Sequence, residues 1–278
     1  MKNISRKTGL SIAIRNTIIS IENDQIVAPK IKPAKFKIKI ANTLEERESV
    51  FQLAYQIYLE KGYIKANPQK WLVQNYDAHQ ETIILMVQDQ NKKVAGSLTL
   101  VFNEKNKLPA EKIYGDEISS LKPKAEKMVE ISRLVINHEY RNSKEVLLLL
   151  INYLMIYAYH VKKYDSLVIE VNPRHKNYYV TLLNFEAIGI EKACPSVQNA
   201  PAVLLHLPLI RYQLEVIRCS FSSYQNKKER SLYPHFLKPE QEKLVAHYLK
   251  NQIRPITSEE KIYFGFTESG ISRAVCIN

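Results

Sequence analysis

The chain has 278 residues, 45% of them apolar, a net charge of +12 and a pI near 9.4. That size supports a globular protein of one large domain or a domain and a half, and the charge points to an anionic partner: nucleic acid, an anionic membrane surface or an acidic protein. Three cysteines, Cys194, Cys219 and Cys276, stand far apart without CxxC spacing, and the seven histidines form no HxxxH or HExxH pair, which argues against a disulfide framework or a metal site. A reducing compartment is expected, hence the cytoplasm. No uninterrupted apolar run approaches membrane-spanning length, and LSIAIRNTIISI, broken by Arg15 and Asn16, lacks a cleavage pattern, so neither a span nor a signal peptide is expected.

In chain order, residues 1–33 read as an extension closed by the basic linker APKIKPAK. KFKIKIA alternates at period two and predicts a half-exposed strand. Thr43 with Glu46 three residues on is a capping box opening a helix whose stripe is Val50, Phe51, Ala54, Tyr55, Ile57 and Tyr58, ended by Gly62. A long loop carrying Trp71 follows, suited to a cover or to packing. TIILMVQDQNKKVAGSLTLVF predicts a hairpin, and a helix-poor connection with Pro109 and Pro123 leads on.

The next stretch, EISRLVINHEYRNSKEVLLLLINYLMIYAYH, is a buried strand, a polar turn and an apolar helix, with Asn142 and Glu145 in a capping arrangement. Its strand carries Glu130, Ser132 and Arg133 among apolar neighbours, where an unpaired charge is costly. Two readings stand: a structural ion pair, or a site in which the carboxylate handles a proton and the guanidinium holds an anion. Strict alternation puts Glu130 and Ser132 on one face and Arg133 on the other, and a bulge would bring both charges to one cleft. SLVIEV is a further strand, PRHKNYYVTLLNF a helix, and AIGIEKA and APAVLLHLPL two closing strands. The expected fold is α/β (α+β), a mixed sheet with helices on both faces, over residues 34–210. Residues 211–278, with one clear helix in PEQEKLVAHYLKNQI, are expected to pack on that core as an extension.

This order, with EISRLVI as the central charged strand, resembles the GNAT-type acyltransferase fold. The Glu-x-Ser-Arg strand, Arg47 four residues before Phe51, Tyr76-Asp77, VNPRHKNYYVTLLNF and NAPAVLLHLPL narrow the resemblance to the branch of autoinducer synthases and FeeM-like N-acyl amino acid synthases. It covers roughly residues 40 to 210. The resemblance implies a splayed central sheet whose gap takes the pantetheine arm of an acyl thioester. Glu130 would take the proton of the attacking amine, with Ser132 orienting it or merely bonded to backbone. Backbone N–H groups around Leu134, Val135 and Ile136 would polarise the thioester carbonyl. Arg133 would bind the substrate carboxylate, or form a salt bridge with Asp77 or Glu130. Arg47 and Phe51 would close the cleft or simply pack. Tyr178 and Tyr179 would lie near the departing thiol. No catalytic role is expected of His138 or His175, and Cys194, far from the matched site in sequence, is not expected to carry an acyl group.

The turn YRNSKE lacks the Gly-rich pattern with which acetyl-CoA-using members cradle pyrophosphate. This disfavours acyl-CoA and implies an acyl-phosphopantetheine donor on an acidic acyl carrier protein, with no tightly bound cofactor and with Arg141, Lys144, Arg174 and Lys176 as docking residues or an ordinary basic face. Homoserine-lactone synthases usually place an arginine in the third strand and a tryptophan on the first helix; this chain has GSLTLV and no tryptophan there, so the resemblance implies a free amino acid rather than S-adenosylmethionine as acceptor. An acyl-homoserine-lactone synthase remains the alternative, and a non-catalytic module for an anionic partner the alternative of another class. Nucleic acid is not expected, for want of its aromatic and basic signatures, and peripheral membrane association stays open.

Overall fold

The computed structural model describes residues 10–14, 17–22, 25–26, 35–121, 127–221, 230–267 and 270–271. β1 (Leu10–Ile14) and β2 (Thr17–Glu22) pair antiparallel, and β3 (Gln25–Ile26) joins them. The linker APKIKPAK falls, but for Lys35, outside the described residues.

β4 (Phe36–Ile40) alternates as its sequence predicts, apolar residues inward and lysines outward. α1 (Leu44–Glu60) opens on the Thr43–Glu46 capping box, both reciprocal bonds present, and stops where Gly62 turns at φ +68°. β5 (Ile83–Asp89) and β6 (Val94–Phe102) form the expected hairpin, and every residue of β6 is buried. The connection expected to be helix-poor instead contains α2 (Glu111–Leu121). Its apolar signal is thin because it buries only Tyr114 and Ile118, and Tyr114 leaves helical geometry at a kink. Pro123 lies outside the described residues.

β7 (Met128–Ile136) and β8 (Ser166–Val171) are parallel neighbours, and the helical crossover between them begins with α3 (Lys144–Ile156). The cap of α3 is Ser143 rather than the expected Asn142, and its side chain makes no capping bond. Helical backbone continues through Val161, and Lys144–Val161 is long and apolar enough to cross a membrane by length and composition, which the run-length reading of the sequence did not anticipate; 61% of it is buried in the protein. It is packed as the core helix. Gly96 makes that packing possible: a Cβ there would sit 2.9 Å from Val146 Cγ1 and 2.8 Å from Ile136 Cδ1, closer than carbon atoms approach.

α4 (Pro173–Leu183) follows β8, capped by Asn172 with Pro173 in its first turn. β9 (Glu186–Ala187) and β10 (Lys192–Cys194) split AIGIEKA into two short strands, both paired to β11 (Ala200–Pro208). The sheet runs β10-β11-β8-β7-β6-β5-β4, all antiparallel except β7–β8. Against one face lie α3 and α4 together with α5 (Leu209–Phe221) and α6 (Pro239–Asn251). Against the other lie α1, α2 and α7 (Ser258–Tyr263). Two-residue strands β12 (Phe266–Thr267) and β13 (Gly270–Ile271) follow. Among the described residues the C-terminal region thus has three helices where one clear helix was expected. On α5, Tyr212 and Val216 are buried, while Ile210, Leu214 and Phe221 are exposed.

Candidate active site

β7 and β8 pair only from Met128↔Ser166 to Ile131↔Ile169. Beyond that point they part, and a cavity of about 610 Å³ is lined by residues of both edges, including Ile131 to Val135 and Ile169 to Asn172. Among the described residues the β8-facing edge of β7 has no strand partner from Ser132 onward, and this edge faces the gap.

The bulge lies within the charged motif. Ser97 pairs with Val135 and Thr99 with Ser132, so Leu98 alone opposes Arg133 and Leu134, and Arg133 takes φ +46°. Left-handed backbone at a residue with a side chain costs about 1–3 kcal/mol and persists only when its surroundings impose it. Here it breaks the alternation and turns Arg133 onto the face that carries Glu130 and Ser132. All three line the cavity.

Their environments differ. Arg133 Nη1 donates to Asp77 Oδ2 at 2.7 Å and to Leu72 O at 2.9 Å, while Nη2 donates to Asp77 Oδ1 and to Thr99 Oγ1 at 2.9 Å. Phe51 and Tyr76 stack on the guanidinium at 5.1 and 5.2 Å. Burial works against the charge, but the Asp77 carboxylate holds Arg133 above its ordinary pKa. Of the readings open for Arg133, the salt bridge to Asp77 is the one formed, and its terminal nitrogens are committed to protein partners rather than left for a substrate carboxylate. Asp77 lies beneath the cavity wall, outside its lining.

Glu130 is only 3% exposed, and among the described residues its carboxylate takes one hydrogen bond, from Ala110 N–H at 2.8 Å. Burial pushes its pKa up to about 8; the Ala110 bond opposes the shift, and the charges of Glu170 and Glu111 add to it. A carboxylate poised there is basic enough to accept a proton from an amine. Ser132 bonds the Tyr76 hydroxyl at 2.9 Å rather than Glu130, so orienting Glu130 is not its role.

Leu134 and Val135 line the cavity, whereas Ile136 packs into the core beside Gly96. Tyr179 is on the cavity wall, its pKa raised by burial; Tyr178 stands behind it, edge to face at 5.5 Å. Arg47 and Phe51 do not close over the cavity. Arg47 Nη2 donates to Arg254 O at 2.8 Å and its Nε lies 3.9 Å from Glu260, while Phe51 packs edge-on against Phe264 at 5.0 Å. Both belong to the seam between α1 and the α7 segment. Trp71 joins that seam against Phe264, and its loop reaches the cavity further on, through Leu72, Gln74, Asn75, Tyr76 and His79.

Arg174 is at the rim, bonded to Tyr63 Oη at 3.2 Å, and exposed His175 lines the cavity beside it. His138 pairs with Glu60 away from the cavity. Arg141 and Lys144 are exposed just after β7, and Arg174 and Lys176 sit just after β8. Because β7 and β8 are parallel, all four lie at the end of the sheet where the strands part.

The sequence reading missed two groups of the cavity. Cys194 lines it, and its thiol is hydrogen-bonded to Glu170, another lining residue. Burial and the neighbouring carboxylate push the Cys194 pKa up to about 12, so it stays a neutral thiol and a poor nucleophile. A signal for Glu170 was available: SLVIEV is a second buried strand with one carboxylate.

Among the described residues, a mixed sheet splayed at its parallel pair β7–β8, with a buried carboxylate in the gap, defines a GNAT-like acyltransferase fold. Solved structures agree on that fold. FeeM, an N-acyl amino acid synthase from uncultured soil microbes, superposes with a TM-score of 0.56 at 21% identity, over 64% of this chain and 93% of that one. The CoA-dependent acyl-homoserine lactone synthase BjaI gives 0.51 at 16% identity over 65% and 87%. The acyl-homoserine lactone synthase LasI gives 0.50 at 17% over 63% and 90%. No curated protein sequence matches the chain. The family model of the N-acyl amino acid synthase FeeM matches residues 49–208, more than half the chain, and the protein belongs to that family. It is an N-acyltransferase that forms N-acyl amides.

Proposed function

We propose that the protein transfers a long acyl chain from an acyl carrier protein to the amine of a free amino acid, giving an N-acyl amino acid. The observation that carries this is the gap between β7 and β8, where the buried carboxylate of Glu130 meets a cavity large enough for a thioester arm and a small acceptor. In the reaction the amine nitrogen bonds to the thioester carbonyl carbon and the carbon–sulfur bond breaks. Glu130 takes the amine's proton. N–H groups on the free edge around Leu134 to Ile136 stabilise the oxyanion, and the second proton that the nitrogen sheds leaves with the sulfur as a thiol, with Tyr179 as the candidate relay.

A carrier-borne donor is supported by the glycine-free turn at YRNSKE and by the basic residues Arg141, Lys144, Arg174 and Lys176 around the mouth of the gap, which suit an acidic partner. An amino-acid acceptor rather than S-adenosylmethionine is supported by the third strand, GSLTLV, which carries no arginine, and by the first helix, which carries no tryptophan.

The test is mass spectrometry after incubating the full chain with acyl carrier protein bearing mixed acyl chains, the common amino acids and S-adenosylmethionine, with parallel reactions on acyl-CoA. An N-acyl amino acid from the carrier-borne donor is expected. An acyl-homoserine lactone, or equal use of acyl-CoA, would contradict the acceptor or the donor assignment respectively.

A further inference from the structure

Glu130 has a companion. Val168 is the register partner of Glu130, and Glu170, two residues on, points to the same face of the adjacent parallel strand. The same follows from β11, where Leu204 is opposite Glu170 and belongs to the cluster that contains Met128 and Val168. Glu170 is the first residue of β8 beyond the last β7–β8 pair, so its carboxylate stands at the apex of the gap and lines the cavity, as does Glu130. The two carboxylates are close enough for Glu170 to raise the pKa of Glu130. Cys194 fixes Glu170 from the β10 side through a thiol hydrogen bond.

Paired carboxylates at the apex of a gap relieve their repulsion by keeping a proton or by taking a cation between them. Lys112, exposed on α2, lines the cavity and acts on both. The acyl thioester brings no positive charge. An amino-acid acceptor does, because its amine arrives protonated.

We propose that Glu170 forms the ammonium subsite for the acceptor: it holds the protonated amine of the amino acid at the apex of the gap, beside Glu130, with the Cys194 thiol orienting it. This rests on the N-acyl amino acid synthase reading and adds the division of labour between the two carboxylates. Glu170 binds and Glu130 takes the proton. Cys194 is a positioning residue, and its neutral thiol forms no acyl intermediate.

The experiment varies the amino acid and the acyl carrier protein thioester separately on the full chain. Glu170→Gln is expected to raise the KM for the amino acid roughly tenfold to hundredfold, the loss of one charge-assisted hydrogen bond, while kcat and the KM for the thioester move much less. A thermal melt like that of wild type shows the variant to be folded. Glu170→Asp should fall between, and Cys194→Ser, which keeps a donor to Glu170, should resemble wild type where Cys194→Val raises the amino-acid KM. Equal rises in both KM values, or an unchanged amino-acid KM, would overturn the subsite. If wild type acylates no amino acid, the acceptor reading falls and the subsite falls with it; an unchanged amino-acid KM in an active Glu170→Gln variant overturns the subsite alone.

Discussion

Two buried ionisable side chains lie three residues apart on β7, and the protein treats them oppositely. Around Arg133 it supplies a bidentate carboxylate, a carbonyl, a hydroxyl and two aromatic faces. Around Glu130 it supplies one backbone N–H and a second carboxylate. A buried charge with its partners in place is architecture, because further chemistry would have to break those bonds. A buried charge left short of partners is costly in the resting protein and available to a substrate. The bulge that turns Arg133 onto the face of Glu130 puts both in one wall. Arg133 fixes the geometry of the strand while Glu130 stays free to take a proton.

Breaking each side separately should show the contrast. Glu130→Gln keeps the shape and an acceptor for Ala110 N–H but removes the base, and kcat should fall about 10²–10⁴-fold in a steady-state assay. Asp77→Ala leaves Arg133 buried without its carboxylate, at a cost of about 3–5 kcal/mol, and should appear in thermal or denaturant melts as loss of the folded protein. The melts sharpen the comparison through their pH dependence. Because the folded-state pKa of Glu130 is raised to about 8 from an ordinary 4.5, the folded state holds that proton more tightly than the unfolded chain. Its contribution to stability is therefore fully present below about pH 4.5 and is lost as pH rises toward 8. Glu130→Gln should escape that loss, and its melting temperature should exceed that of wild type at pH 8 but not at pH 4, an activity-for-stability exchange that Asp77→Ala cannot show.

Arg47 supplies a smaller test. It bonds the C-terminal segment rather than the cavity, so Arg47→Met should destabilise by about 1–3 kcal/mol and leave kcat of the folded enzyme within a few-fold of wild type. A large kcat loss at unchanged stability would return Arg47 to the site. Charge reversal at Arg141 and Lys144 should have the mildest effect, weakening carrier binding by roughly tenfold at low salt and less as ionic strength rises, read by titration with labelled carrier protein.

How much of this was legible follows from the range of the interactions. The Thr43–Glu46 cap, the hairpin of β5 and β6 and the charged strand are written in residues a few positions apart, and the sequence shows them directly. The bulge could be anticipated as a need, since two charges on one strand had to reach one cleft, but its position depends on β6 through the Ser97 and Thr99 registers. Arg47 was misplaced because its partners, Arg254 and Glu260, lie more than 200 residues away in a region whose helices were only partly read. Cys194 was set aside for its distance along the chain, yet the β10–β11 pairing returns it to β8. Glu170 could have been found: its strand repeats the pattern of a single carboxylate among buried apolar residues that singled out Glu130.

The most direct measurement is the pH dependence of kcat/KM for wild type and Glu130→Gln with carrier-borne donor and amino-acid acceptor. The account predicts that wild-type activity climbs with pH and levels off above a break near 8, where Glu130 loses its proton, and that the residual activity of the Gln variant lacks this break. A Gln variant with wild-type rates, or the same break in both proteins, would contradict the assignment of Glu130 as the base.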